Sequence, residues 1–193
     1  MSPWYAKAII LLASIVMVVI RAPHGQRSRK VPVLKRRKGR LEFVLLTIAW
    51  IAFFLPLIWI VPGVFDFADY PLEPIPLVTG SVLLALGLWL FQRSHADLGA
   101  NWSLSLEVRE NHQLVTNGVY RWIRHPMYLS LLIYGVGQAL VVPNWFAGPS
   151  YGAAMLLIFA FRLVPEERMM LEHFGKAYED YRARTKRLFP GIW

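Results

Sequence analysis

Five long apolar stretches, separated by charged or proline-bearing connections, constrain this chain more than any other feature. They are Trp4–Ile20, broken only by Lys7; Phe43–Val61, which carries no charge and ends at Pro62-Gly63; Leu77–Gln92, ending at Arg93; Met127–Val142, between His125-Pro126 and Pro143-Asn144; and Tyr151–Val164, whose one charge is Arg162. A helix rises about 1.5 Å per residue, so crossing the hydrocarbon takes about 20 residues and rarely fewer than about 17. The last two runs are short by this measure. Their brief connection, Pro143–Ser150, predicts an antiparallel hairpin whose inner ends extend beyond the hydrocarbon. The chain reads as an all-α integral membrane bundle of five transmembrane helices. The first run is expected to persist as a span, because Arg21 and Pro23 follow it rather than a small-residue cleavage pattern.

Charge supports lipid as the solvent and sets the orientation. Charged residues make up 17% of the 193, against about a quarter in soluble domains. The net charge of +9 does not point to nucleic acid, because nine of the 21 Lys and Arg residues fall between Arg21 and Arg40, beside the first two runs. Such a cluster marks the cytoplasmic side and suits anionic lipid headgroups. The connection carrying Asp66, Asp69 and Glu73 has no Lys or Arg and is expected outside. Alternation then puts the N-terminus outside and the C-terminus in the cytoplasm, in keeping with the basic Lys176, Arg182, Arg184, Lys186 and Arg187. Cysteine is absent, which excludes disulfides, thiolate metal sites and a thiol nucleophile. No repeat or low-complexity linker divides the chain, so residues 1–193 are expected to form one membrane domain, its first 94 residues contributing three helices and the basic loop 21–40.

Two clusters carry candidate chemistry. In the stretch from Asn111 to Tyr128, Thr116-Asn117-Gly118 signals a turn, and Pro126 suits the first turn of the fourth helix. That leaves free N–H groups of a helix start beside Arg124 and His125, an arrangement that attracts a carboxylate or phosphate. Read without function, the same stretch is an interfacial loop anchored by Tyr120, Trp122 and its arginines. The second cluster is Arg162, Glu166 and Glu167 on the fifth helix. Arg162 and Glu166 are four apart and share a face; the bland alternative is a snorkelling arginine with two solvated glutamates. Glu167, about 100° further round, is expected to face water or a neighbouring helix and to tolerate neutralisation better.

The run GVYRWIRHPMY, the Arg-x-x-x-Glu-Glu cluster and HFGKAYEDYRARTKRLFP together resemble the isoprenylcysteine carboxyl methyltransferase family, most closely its compact prokaryotic members, over Glu107 to Pro190. The resemblance implies S-adenosyl-L-methionine as cofactor, held outside any Rossmann fold in a cytoplasmic-side pocket built by the C-terminal half, residues 95–193. Cofactor contacts carry over to His112, Gln113, Leu114, Val115, Tyr120, His125, Pro126, Met127, Tyr128 and Glu166; Arg162 and Glu166 carry over as the catalytic pair, with Arg162 also holding the substrate. The implied reaction is methyl transfer to a lipophilic acceptor, such as a prenylcysteine-type carboxylate. Gly135-Val136-Gly137 lies within an apolar helix and is read as a close-packing device rather than a nucleotide motif. Two competing readings remain. One is an NADPH-dependent sterol-type membrane reductase, which would need more basic residues for the 2′-phosphate. The other is a non-catalytic lipid-binding protein working through the basic loop.

Overall fold

The structure, a computed structural model, describes residues 1–29, 32–36, 39–102, 107–109 and 113–189. Its helices are α1 (Pro3–Arg29), α2 (Arg40–Trp59), α3 (Pro74–Leu98), α4 (Pro126–Val141), α5 (Ala147–Phe174) and α6 (Lys176–Arg184). The strands β1 (Val33–Arg36) and β2 (Glu107–Arg109) pair antiparallel. Each of the five apolar runs forms a helix, but among the described residues only α1, α2, α3 and α5 have the length and apolarity of a membrane crossing. The expectation of five transmembrane helices is therefore corrected to four. The reason is length: the 16 residues of α4 rise about 24 Å, short of the ~30 Å hydrocarbon core. The all-α bundle stands, with one small addition: a two-stranded ribbon ties the basic loop after α1 to the segment after α3.

Helix α4 is wedged between α3 and α5, and its glycines set the spacing. Gly137 faces α3, where a Cβ would lie 2.8 Å from the Gly80 carbonyl oxygen, while Gly135 backs onto Gly152 of α5. These approaches realise the close packing read from the Gly135-Val136-Gly137 run. One end of α4 is closed by a polar knot. Asn144 donates to the Phe65 carbonyl at 2.8 Å and to the Asp69 carboxylate at 2.6 Å, and its own oxygen accepts the Ala147 N–H at 2.7 Å. Trp59 Nε1 donates to the same Asp69 at 2.7 Å. This knot joins the ends of α2, α4 and α5 at the acidic end of the molecule. At the opposite end lie the head of α4, the C-terminal ends of α1, α3 and α5, the head of α2, and α6 with its basic residues.

Candidate functional site

That basic end encloses a cavity of about 250 Å³. Its walls explain why a local motif can build a site. Helix α3 ends at Gly99, and its last turn presents Asp97 to the following loop. Gly118 turns with φ +57° directly over the Asp97 carboxylate, which accepts the Val119 N–H at 2.8 Å. A side chain at 118 would be strained and would collide with Asp97, so glycine is required there. Asn101 fixes the start of the same loop, its side-chain oxygen accepting the Gln113 N–H at 2.9 Å. The loop then enters a 3₁₀ turn, Gly118–Arg121, that buries Tyr120. Tyr181 of α6 donates to the Tyr120 carbonyl at 2.7 Å, locking that turn against the C-terminal segment.

Pro126 begins α4 with His125 at its N-cap, and the cap makes no side-chain hydrogen bond to the helix. The backbone N–H groups of Arg124 and His125 instead donate to Lys186 at 2.7 Å and Arg187 at 3.0 Å. The His125 ring is buried between two carboxylates. Nε2 meets Glu167 at 3.4 Å, and Nδ1 lies 3.8 Å from Glu166. Tyr128, one turn into α4, donates to Glu166 at 2.7 Å. Arg162, a turn before Glu166 on α5, reaches Glu42 of α2 at 3.7 Å.

Glu167 faces the head of a neighbouring helix, α4, rather than water. It is 5% exposed and accepts from Arg124 Nε at 2.9 Å, from His125, and from Arg187 at 3.2 Å. Arg124 also donates to the Thr185 carbonyl. Facing that helix means burial in a network of cations, whose counter-charge Glu167 supplies. Tyr120, Tyr178 and Tyr181 hold neutral hydroxyls. Burial raises each pKa above the ordinary value, and the Glu166 charge adds to the effect at Tyr120. Tyr120 thus offers a ring face and a phenol, not a phenolate.

Among the residues expected at the site, Gln113, Leu114, Val115, Tyr120, His125, Met127, Tyr128, Arg162 and Glu166 all line the cavity. Pro126 is buried at the helix start without lining it, and His112 lies outside the described residues. The pocket is not the work of the C-terminal half alone, which corrects the expectation. Met17 and Val18 of α1 and Leu46, Ala49, Trp50 and Phe53 of α2 form its apolar side, with the charged Arg21 of α1 beside them. Sequence reasoning also missed Asp97, Asn101 and Trp102, the residues that hold the loop. The Asp97–Gly118 contact had a faint signal in the turn sequence; the others had none.

A family profile described as phospholipid methyltransferase matches residues 75–177, more than half of the chain. The chain belongs to the phospholipid methyltransferase family. Within it, the chain is similar to the protein-S-isoprenylcysteine O-methyltransferases. It is 30% identical to that of Dictyostelium discoideum over 115 residues, 58% of this chain and 48% of the relative. It is 31% identical to that of Homo sapiens over 117 residues, 60% of this chain and 41% of the relative. The chain spans about half the length of these relatives. The solved structure of the eukaryotic intramembrane Ras methyltransferase, an isoprenylcysteine carboxyl methyltransferase, superposes with a TM-score of 0.52 at 25% identity, over 81% of this chain and 54% of that one. The family-matched segment runs from α3 through α5, and it holds every cavity wall except those given by α1, α2 and α6.

Proposed function

We propose that this family member is an S-adenosyl-L-methionine-dependent methyltransferase that modifies a lipophilic acceptor taken from the bilayer. The observation that carries the reading is a cavity with two chemically different sides. Gln113–Val115, Tyr120, His125, Tyr128 and Glu166 form a polar, aromatic side, and α1, α2 and α5 form an apolar side. The donor set fits the cofactor. Glu166 supplies negative charge and Tyr120 an aromatic face for cationic groups. The first-turn N–H groups of α4 beside His125 suit a carboxylate. Among the described residues the only sheet is the two-stranded ribbon, so no Rossmann crevice competes for a nucleotide.

When bound, the cofactor supplies an electrophilic methyl group on a positively charged sulfur. The chain's own residues position and shield. Tyr128 fixes Glu166 by its 2.7 Å hydrogen bond, and Glu167 fixes the His125 ring from behind. Arg162, paired with Glu42, sits where the polar side meets the apolar side and orients an acceptor carboxylate of the prenylcysteine type. Methyl transfer needs little acid–base assistance, so alignment and exclusion of water account for most of the acceleration. Residues 1–193 act as one membrane domain, with the basic end of the bundle and the C-terminus in the cytoplasm. That orientation rests on the separation of Asp66, Asp69 and Glu73 from Arg124, Lys186 and Arg187, which lie at opposite ends.

Calorimetry with S-adenosyl-L-methionine and with NADPH tests the reading. His125→Gln and Tyr120→Leu are the useful variants, because both residues are buried and alanine would leave a cavity. The methyl donor should bind and NADPH should not, and each variant should weaken donor binding. Binding of NADPH alone, or unchanged donor affinity in both variants, would overturn it.

A further inference from the structure

Arg21 is the charged group in the cavity that the proposed reaction leaves without a task. It sits on α1, outside the family-matched segment, and the sequence marks it only as the first residue of the basic cluster. It shares a helix face with Met17, four residues earlier, and both line the apolar side of the cavity. Its guanidinium lies 5.5 Å from the centre of the Trp102 ring. Trp102 is itself held from two directions. Its Nε1 donates to Met127 Sδ at 3.2 Å, and its ring packs 5.0 Å from that of His95, which in turn sits 5.0 Å from His24. The buried histidines thus pack as tilted rings behind the indole, and the indole ring lies against the Arg21 guanidinium.

The charge balance gives this placement meaning. Of the cations lining the cavity, Arg124 is matched by Glu167 and Arg162 by Glu42. Glu166 is engaged by Tyr128 and His125. Among the described residues no carboxylate forms an ion pair with Arg21, whose guanidinium packs over the Trp102 ring. A cation at membrane depth faces protein or water and calls for a counter-charge. Here the space it faces is the apolar side of the pocket, beside Met17, Val18 and Phe53.

We propose that Arg21 is a specificity-determining residue that joins Arg162 in holding the anionic head group of the membrane acceptor, whose apolar tail lies between α1, α2 and α5. The inference rests on the methyltransferase reading for the word acceptor. The binding itself does not require turnover. Carboxylate and phosphate share the chemistry a guanidinium recognises, so the head group is a singly attached oxyanion of one kind or the other.

The test is direct binding of hexadecanoate, hexadecyl phosphate and methyl hexadecanoate to the full chain in nanodiscs of zwitterionic lipid, followed by microscale thermophoresis. Wild type should bind at least one anion about tenfold more tightly than the neutral ester, and the tighter anion identifies the head group. Arg21→Gln should lose that discrimination while binding the ester as before, and Arg21→Lys should retain part of it. S-Adenosyl-L-methionine affinity should be the same in all three proteins. Equal binding of acid, phosphate and ester by wild type would overturn the proposal, as would intact discrimination in Arg21→Gln. A loss confined to cofactor affinity would also overturn it, by moving Arg21 to the cofactor. If Arg21→Gln fails to fold, the wild-type comparison and Arg21→Lys still decide. If anion binding depends on Arg21 but no methyl group is transferred, the methyltransferase reading falls and this one stands.

Discussion

Replacing Glu167 with glutamine should destabilise the protein severely, although the change removes only a charge. In the native structure the Glu167 side chain is 7% exposed and Arg124 is 9% exposed, with Nε and Oε1 2.9 Å apart. Arg187 approaches the other oxygen at 3.2 Å and is 29% exposed. Glutamine can keep its oxygen towards Arg124 and His125, but its amide then points donor against donor at Arg187. Removing one member of a buried ion pair costs about 3–5 kcal/mol, because the partner stays buried without a counter-charge. The more exposed Arg187 adds about 1 kcal/mol or less. For a domain of this length, each kcal/mol lowers Tm by about 2–4 °C, so the expected loss is on the order of 10 °C or more. Scanning fluorimetry on detergent-purified protein, without cofactor, is the assay. Arg187→Gln in the Glu167→Gln background should cost less than it does alone, since the two share one network. A Tm within about 2 °C of wild type would mean that the network is a surface arrangement and that His125 is held by something else.

Arg162→Lys keeps the charge but not the planar fork, and should lower turnover by about tenfold, on the order of 1.4 kcal/mol of transition-state stabilisation, with cofactor affinity little changed. Wild-type turnover in that variant would return Arg162 to the role of a membrane-interface anchor. Gly118→Ala should loosen the loop that carries Tyr120, because it forces φ +57° on alanine and drives a Cβ into the Asp97 carboxylate; protease cutting within residues 113–121 should speed up, and an unchanged rate would argue against the loop's dependence on that turn. A C-terminal reporter fusion should be active on the cytoplasmic face, and activity confined to the outer face would reverse the orientation.

The order of the apolar helices was legible in the sequence, but their ends only in part, since α1 and α5 run on through Pro23 and Pro165, past the apolar stretches, to Arg29 and Phe174. Pro74 and Pro126 start α3 and α4, Gly99 follows α3, and Gly175 follows α5. The polar side of the cavity was legible through one local run, residues 113–128, although the groups that hold that run, Asp97, Asn101, Tyr181, Lys186 and Arg187, lie far from it in sequence. The rest was hidden for physical reasons. Helices α1 and α2 are apolar on every side because lipid replaces water on the outer face, so no stripe betrays which side meets the cavity. Met17, Arg21 and Phe53 therefore gave no sign of lining it. Glu166 and Glu167 differ only in phase about α5, and no pattern in the sequence reveals that one meets Tyr128 while the other meets Arg124 and Arg187. The shortness of α4 was visible in the length of its run. What was not visible was that α3 and α5 enclose it on both sides, so that it packs as part of the bundle without the length of a span.

The central claim is tested most directly by following labelled methyl groups. Purified protein in nanodiscs, supplied with S-adenosyl-L-methionine labelled in the methyl group and a lipid extract as acceptor pool, should move label into the organic phase in a saturable, time-dependent way. Glu166→Gln should remove that transfer, because it weakens the negative end of the polar side while keeping its shape. Saturable transfer by wild type and its loss in the variant is the predicted result. Label that stays entirely with the donor for every acceptor pool offered, or equal transfer by wild type and Glu166→Gln, would contradict the account.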